Sequence, residues 1–168
     1  MIIIVIAAGI YLIMRSSNSP TTGAPQSSET GATSNYTNST HHFSLSYPNG
    51  LGLKPAEFAA DQGDYVTIAD AKTGTGMQIY ITPFNEDLSV LTAARIKQDA
   101  PDLQIVSPQD VTVGQSGKGV AFFDGTGDSA NRQIWFVVGK ELYQITAPKS
   151  FDQTLQGIMN TWAFTQFQ

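Results

Sequence analysis

The run Gly114–Gly119, which reads GQSGKG, is the segment of the chain that comes nearest to a phosphate-binding loop. A P-loop needs the pattern G-x-x-x-x-G-K-[ST] between a strand and a helix, because its backbone amides cradle the phosphates and its hydroxyl binds Mg²⁺. Here Thr112 stands where the first glycine belongs, and Gly119 stands where the hydroxyl belongs. The run Val120–Phe123 then predicts a strand where the motif requires a helix. We therefore expect a β-turn between two strands and no nucleotide site.

The run Asp124–Ser129, DGTGDS, has oxygen donors at its first, third and fifth positions, as calcium-binding loops do. Such loops also need a glycine at the sixth position and a bidentate glutamate at the twelfth, and Ser129 and Trp135 occupy those places. The sequence therefore favours a long hairpin loop that ends near Asn131 and Arg132. A weak cation site of another type is the alternative.

The histidines of the chain are neighbours, His41 and His42. Adjacent residues of a strand point to opposite faces, so the two rings cannot easily share one metal ion, and no carboxylate lies close to them in the sequence. We expect solvated side chains at the entry to a strand. Five acidic residues lie in predicted loops and at strand ends, and we expect them to form a solvated surface: Asp61, Asp64, Asp70, Glu86 and Asp87. A patch that attracts cations is the alternative.

Other candidates for catalysis are few. The chain has no cysteine, which excludes disulfides, thiolate metal sites and thiol nucleophiles. It also has no G-x-S-x-G motif of the kind that carries a nucleophilic serine. We therefore assign no catalytic, cofactor-binding or metal-binding residue, and we predict that the protein is not an enzyme.

The charge balance excludes one class of partner. The chain of 168 residues has 9 basic and 14 acidic side chains, a net charge of −5 and a charged fraction of 14%. A general nucleic-acid binder needs a basic surface to displace counterions from phosphates, so we expect no nucleic-acid partner. The charged fraction is below the average of about 25% for soluble domains, in part because residues 1–40 carry only Arg15 and Glu29.

The first segment, residues 1–15, is predicted to be a membrane anchor. Residues 1–14 read MIIIVIAAGIYLIM, without a charge, and Arg15 follows them. A helix of this length spans about 21 Å, less than the roughly 30 Å of a bilayer's hydrocarbon core, so we expect an anchor that is cut short at its start. The h-region of a cleaved signal peptide and a buried core helix or strand are the alternatives. The residues that we assign to the bilayer are Ile2, Ile3, Ile4, Val5, Ile6, Ile10, Tyr11, Leu12 and Ile13.

The second segment, residues 16–40, is predicted to be a disordered, flexible linker. Of its 25 residues, 13 are Ser or Thr, so it cannot bury enough apolar surface to offset the entropy lost on ordering. Stalks rich in Ser, Thr and Pro are typical of exported chains. We therefore expect a single-pass protein of the cell membrane with residues 41–168 outside, or a secreted protein if the first segment is cleaved. Arg15 opposes this orientation, because positive charges beside a membrane span favour the cytoplasmic side.

The third segment, residues 41–168, is predicted to be one folded domain. Its clearest local signal is a hairpin, in which Gln133–Val138 and Glu141–Ala147 flank the two-residue turn Gly139-Lys140. The register pairs apolar residues on both faces: Ile134 with Ile145 and Phe136 with Tyr143 on one, and Val137 with Leu142 on the other. A sheet that is apolar on both faces must be covered on both sides.

The other elements are mostly strands, which we predict over residues 42–48, 65–70, 77–83, 104–113 and 118–124. A helix is predicted over Asp87–Ala100, which Pro101 ends, and a second one follows the capping-box pattern of Ser150 and Gln153. In this second helix the apolar positions recur at helical spacing: Leu155, Ile158, Met159 and Trp162. The order β-β-β-α-β-β-β-β-α indicates an α+β domain with a mainly antiparallel sheet flanked by helices.

Four segments carry a resemblance to a known family: the strand Phe43–Pro48, the block Gly119–Val138, the strand Tyr143–Ala147, and the closing helix with Trp162-Ala163-Phe164. They are similar to the PsbP-like family, an α/β/α sandwich typified by the extrinsic PsbP subunit of the photosynthetic oxygen-evolving complex, with many bacterial relatives. The resemblance covers nearly all of the predicted domain. It implies a binding or assembly role rather than catalysis, and it assigns no functional residue. Since the predicted anchor and stalk depart from the plant subunits, it implies no photosynthetic role.

We therefore predict a membrane-tethered, extracytoplasmic PsbP-like domain that acts as a non-catalytic binding or assembly module, with the lipid bilayer and a protein as its partners. A minor pilin-like or envelope structural subunit is one alternative, although the Gly-Phe leader junction and the following glutamate of pilins are missing. A small-ligand or cation-binding protein is the other. The interface is expected at Trp135, Phe84, or the side of the sheet with Ala121 and Phe123, if these lie exposed in an apolar patch.

Overall fold

A computed structural model describes residues 32–56 and 63–165. The strands are β1 (Thr33–Asn38), β2 (Phe43–Pro48), β3 (Leu51–Ala56), β4 (Asp64–Asp70), β5 (Gly76–Pro83), β6 (Val106–Val113), β7 (Gly117–Phe123), β8 (Asn131–Val138), β9 (Glu141–Pro148) and β10 (Ala163–Phe164). The helices are α1 (Ala93–Asp99) and α2 (Asp152–Met159), and the 3-10 turn Lys149–Phe151 leads into α2. The predicted anchor, residues 1–15, lies outside the described residues and stays a prediction.

The strands form two antiparallel sheets. The larger sheet has seven strands in the order β3-β4-β5-β9-β8-β7-β6, and the smaller one has three in the order β1-β2-β10. Every pairing is antiparallel, and all but those of β5 with β9 and of β10 with β2 join consecutive strands. The prediction of a mainly antiparallel sheet with helices is confirmed. Within residues 32–56 and 63–165, no helix is long and apolar enough to cross a membrane.

The predicted hairpin of β8 and β9 is confirmed in its register. Phe136 lies opposite Tyr143, and Val137 lies opposite Leu142. These two pairs belong to separate apolar clusters, one on each face of the larger sheet. We call the face with Phe136 the inner face and the face with Val137 the outer face. Both are covered, as the alternation of apolar residues on both sides predicts.

Different elements cover the two faces. The smaller sheet and α2 cover the inner face, with Phe43, Leu155 and Trp162 among the buried residues. Residues 84–105, which include α1, cover the outer face, with Phe84 and Ile96 buried. Since burial of large apolar side chains supplies most of the stability of such a domain, the two clusters fix the layered arrangement.

The first strand lies within the predicted linker. Residues 33–38 pair one by one with β2, although the segment is rich in Ser, Thr and Asn. Tyr36 packs edge-on against Phe43, with 5.9 Å between the ring centroids, and Ser34 Oγ donates to Asn49 Oδ1 at 2.7 Å. A polar strand is stable here because β2 supplies its backbone hydrogen bonds. The linker prediction thus differs from the structure over residues 33–38, while residues 16–31 lie outside the described part.

The helices also differ from their predicted bounds. Thr92 caps α1 by accepting from the Arg95 backbone N–H at 3.2 Å, so α1 is shorter than the predicted Asp87–Ala100. The predicted capping box is wrong, because Ser150 lies in the 3-10 turn and no side chain caps α2. Leu155 and Ile158 are nevertheless buried, as their spacing predicts.

Candidate functional site

The predicted interface residues are buried. Trp135, Phe84 and Ala121 are each less than a tenth exposed, and Trp135 Nε1 donates to Gln133 Oε1 at 3.1 Å. Phe123 is half-buried beneath the guanidinium of Arg132, whose central carbon lies 3.8 Å from the ring centroid. These side chains are therefore part of the core and its margin, and they do not form an exposed apolar patch.

The two loop candidates have structural explanations. The run Gly114–Gly119 spans the turn between β6 and β7 and the start of β7, so the expected β-turn is confirmed. Asp124 accepts from the Asn131 backbone N–H at 2.8 Å and from Gln133 Nε2 at 2.9 Å, and these bonds close the loop between β7 and β8. Among residues 32–56 and 63–165, no group of His, Asp and Glu is arranged to hold a metal ion.

The prediction that His41 is solvated is wrong. Its residue exposure is 9%, whereas His42 is exposed as expected. The inward positions of β2 are the odd-numbered ones, Phe43 and Leu45. His41 lies in the turn before the strand, and His42 between them has φ of 53°, so the turn and not strand alternation directs His41 inward. The pattern of β2 therefore indicated neither the burial of His41 nor its partners.

The ring of His41 lies between two carboxylates. His41 Nδ1 is 2.6 Å from Glu141 Oε1, and His41 Nε2 is 2.8 Å from Asp64 Oδ2. Tyr143 donates its hydroxyl to the other oxygen of Glu141 at 2.6 Å. Asp64 was predicted to belong to a solvated surface, and this is wrong because it is part of this cluster. The partners lie 23 and 100 residues away along the chain, so only the fold brings them together.

The electrostatics of the cluster favour the charged imidazolium. The hydrogen bond to Glu141 raises the pKa of His41 above its ordinary value of 6.5; burial opposes this, and the contact with Asp64 adds to it. Burial acts to raise the pKa of Glu141, but the hydrogen bonds from His41 and Tyr143 outweigh it, so the pKa lies below its ordinary value of 4.5. Since both ring nitrogens face carboxylates, neither is available to take a proton from a substrate.

The other predicted acidic residues have separate environments. Asp70 accepts from the backbone N–H groups of Lys72 and Thr73 at 2.8 Å and closes the turn between β4 and β5. Glu86 forms a bidentate ion pair with Arg95, which also pairs with Asp99. Asp87 is exposed, as predicted, and Asp61 lies outside the described residues.

A groove of about 280 Å³ lies between α2 and the inner face of β6–β8. It forms because α2 packs against β2 and β9 and leaves the inner face near the end of the sheet open. Its floor and walls include apolar side chains: Val111, Val113, Ala121, Ile134 and Met159. Its rim is polar: Gln109, Thr112, Arg132, Asp152, Gln156 and Asn160. Grooves with an apolar floor and a few convergent polar groups are the usual binding sites of proteins.

The charges in the groove are already paired. Arg132 Nε donates to Asp152 Oδ1 at 2.8 Å and Nη2 donates to Oδ2 at 3.2 Å. The Arg132 guanidinium holds the pKa of Asp152 below its ordinary value, although burial opposes this. Because this bidentate pair neutralises the charge of Arg132, an anionic ligand such as a phosphate would meet no net positive charge from the pair. The groove therefore suits an uncharged or dipolar ligand.

No pattern in the sequence indicates the groove, although the composition of β7 differs on its two sides. Its inward positions carry small residues, Gly117, Gly119 and Ala121, while its outward positions include Val120 and Phe122. Of these three residues only Ala121 lines the groove, because Phe136 and the backbone of the neighbouring strand β8 fill the space beside Gly117 and Gly119. Which side of the sheet they face depends on where α2 lies, and the sequence alone does not determine that.

One comparison with known proteins finds a similar structure. The solution structure of cyanobacterial PsbP (CyanoP) from Synechocystis sp. PCC 6803 matches with a TM-score of 0.56 and 9% sequence identity. The match covers 85% of this chain and 98% of that one. No family model matches the sequence, and no curated protein matches it. At 9% identity such a likeness shows the fold and not the function. The chain therefore has a PsbP-like fold.

Proposed function

We propose that this protein is a membrane-tethered, non-catalytic binding module, whose PsbP-like domain lies outside the cell and holds an extended peptide segment of a partner protein. The observation that carries the proposal is the groove between α2 and β6. The apolar N-terminal segment supports the tether, and the polar linker supports the exterior location. The bilayer and the partner protein are then the two things that the chain binds.

The edge strand β6 supports a peptide as the occupant. Among the described residues β6 is the last strand of the larger sheet, so one of its edges carries backbone groups without a neighbouring strand. Its register with β7 shifts between Val106 and Gln109, and Pro108 has no N–H, so the regular stretch is residues 109–113. An added peptide strand would pair with this stretch, and its alternate side chains would enter the groove.

The composition of the groove agrees with such a ligand. Val111, Ile134 and Met159 offer an apolar surface for side chains, and Gln156 and Asn160 offer hydrogen-bonding groups for the main chain. The paired charges of Arg132 and Asp152 disfavour phosphorylated or strongly anionic ligands. His41 also supports a non-catalytic role, because carboxylates occupy both of its ring nitrogens and leave neither free to act as a base.

Blocking the groove tests the binding role. Random peptides displayed on phage are panned against the full chain in detergent micelles, and the selected peptides are measured with two variants. Gln156 lines the groove, whereas Gln153 is an exposed glutamine of the same helix that does not. We expect Q156W to weaken peptide binding at least tenfold, because the indole fills the entrance, and Q153W to leave it unchanged. Equal effects of the two substitutions, or no selected peptides, would contradict the proposal.

Protease treatment of intact cells tests the tether and its orientation. We expect the folded domain to be released into the medium by cleavage within residues 16–31, while the N-terminal segment stays with the membrane. Cells opened by detergent give the same fragment and serve as the control for cleavability. If the domain is fully protected in intact cells but is cleaved once detergent has opened them, it lies on the cytoplasmic side of the membrane and the proposed orientation is wrong.

A further inference from the structure

The turn between β1 and β2, residues 39–42, is held by the side chain of Asn38 and by contacts with distant parts of the chain. Asn38 Oδ1 accepts from the backbone N–H groups of Thr40 and His41 at 3.0 Å. The Tyr143 hydroxyl, whose one proton is donated to Glu141 at 2.6 Å, also lies 3.2 Å from the His41 carbonyl oxygen. The Thr165 backbone N–H donates to the His42 carbonyl at 2.8 Å. The turn is therefore fixed by contacts with β9 and with the residue after β10.

The backbone of this turn is strained at one position. His42 has φ of 53°, in the left-handed region that residues with a Cβ adopt at a free-energy cost. Such a conformation persists only where the surrounding contacts over-determine it. The ring of His41, the residue before it, supplies the ionic part of those contacts.

The ionic contacts depend on the number of protons on the ring. The titratable groups that face the His41 ring are Glu141 and Tyr143 from β9 and Asp64 from β4, and His42 is its neighbour in the turn. An imidazolium donates one N–H to each carboxylate. Loss of one proton to solvent leaves a ring with one N–H, and its other nitrogen then directs a lone pair at a carboxylate.

We propose that His41, Asp64 and Glu141 form a pH-sensitive latch, which holds the turn 39–42 against the larger sheet while the ring carries two N–H protons and loosens it when one is lost. The turn directly follows β1, the first described strand, so the latch sets how firmly the domain holds its N-terminal strand. This inference does not depend on the peptide groove, which lies against other strands.

The pH range follows from the direction of the shifts. The pKa of His41 is raised in the folded state, so the latch is complete below the ordinary value of 6.5 and is lost as the pH rises through the higher folded value. The pKa of Glu141 is lowered, so its contribution is present above 4.5 and is lost as the pH falls through the lower folded value. The latch is therefore closed in mildly acidic solution and opens on the alkaline side.

Two measurements on the full chain in micelles test the latch. Since the sequence has only two histidines, their ring signals can be followed separately by NMR through a pH titration. We expect the pKa of His41 to lie above 6.5. We also expect the hydrogen-exchange protection factor of the His41 amide to fall about tenfold for each pKa unit by which the folded value exceeds the unfolded one.

A matched pair of variants separates the ring from the turn. H41Q removes the titration, so the protection factor should no longer depend on pH between mildly acidic and mildly alkaline solution. H42N changes the exposed neighbour to a residue that tolerates positive φ, and should leave the pH dependence as in the natural protein. If His41 titrates at or below 6.5, or if H42N abolishes the pH dependence, the latch is refuted. The titration of the natural protein decides the question even if H41Q does not fold.

Discussion

Replacing Trp162 with alanine is expected to lower the free energy of unfolding by about 3–5 kcal/mol, the range for large aromatic residues in a core. Trp162 is 4% exposed and stacks on Phe43, with 4.5 Å between the ring centroids. Its edge also meets Phe136 and Tyr143. A loss of this size is a large share of the stability of an ordinary domain, which is about 5–15 kcal/mol.

Phenylalanine at the same position should be tolerated much better. Trp162 Nε1 is buried and has no hydrogen-bond partner among the described residues, so removing it relieves an uncompensated desolvation. The phenyl ring keeps the stacking on Phe43, at the expense of a smaller buried area. We expect W162F to lose less than half of what W162A loses in urea denaturation. Equal losses of stability in W162F and W162A would contradict this, because they would mean that the phenyl ring recovers none of the stability that the indole provides.

Replacing Gly119 with alanine is expected to be the most disruptive small substitution in the sheet. A Cβ at this position would lie 1.9 Å from the Trp135 carbonyl oxygen and 2.6 Å from Phe136 Cα. Both atoms belong to the backbone of β8, so relief requires β7 and β8 to move apart. We expect the free energy of unfolding to fall by about 3 kcal/mol or more, the upper end for overpacking.

Gly157 provides the matched control. A Cβ there meets nothing within 4 Å, and the residue lies inside α2. Alanine should raise the free energy of unfolding by about 0.5–1 kcal/mol, because glycine is a poor helix former. Thermal and urea denaturation of the two variants measure the contrast. A folded G119A with unchanged stability would mean that the two strands are not packed as closely as described.

The local part of the fold was predictable because it follows from spacing. The two-residue turn Gly139-Lys140 placed Phe136 opposite Tyr143, and the apolar residues on both faces showed that both sides of the sheet must be covered. The strand β1 was missed because its side chains are polar, and its pairing with β2 depends on a neighbour rather than on its own composition. Propensity is a weak guide where tertiary pairing decides.

The candidate sites were less predictable, for a different reason. His41 lies in a turn that the alternation of β2 does not predict. Its partners Asp64 and Glu141 come from β4 and β9, and nothing near His41 in the sequence points to them. The groove depends on where the short helix α2 lies on the sheet, which is a property of the whole packing arrangement. Long-range contacts of this kind cannot be obtained from periodicity.

The central claim is that the groove between α2 and β6 holds a segment of a partner protein. The most direct measurement places a photoreactive amino acid at Gln156 or at Gln153 in the full chain and irradiates native membranes. We predict a protein adduct from position 156 that is absent from position 153, because only the first lines the groove. Equal adducts at both positions, adducts from position 153 alone, or none at either would contradict the claim.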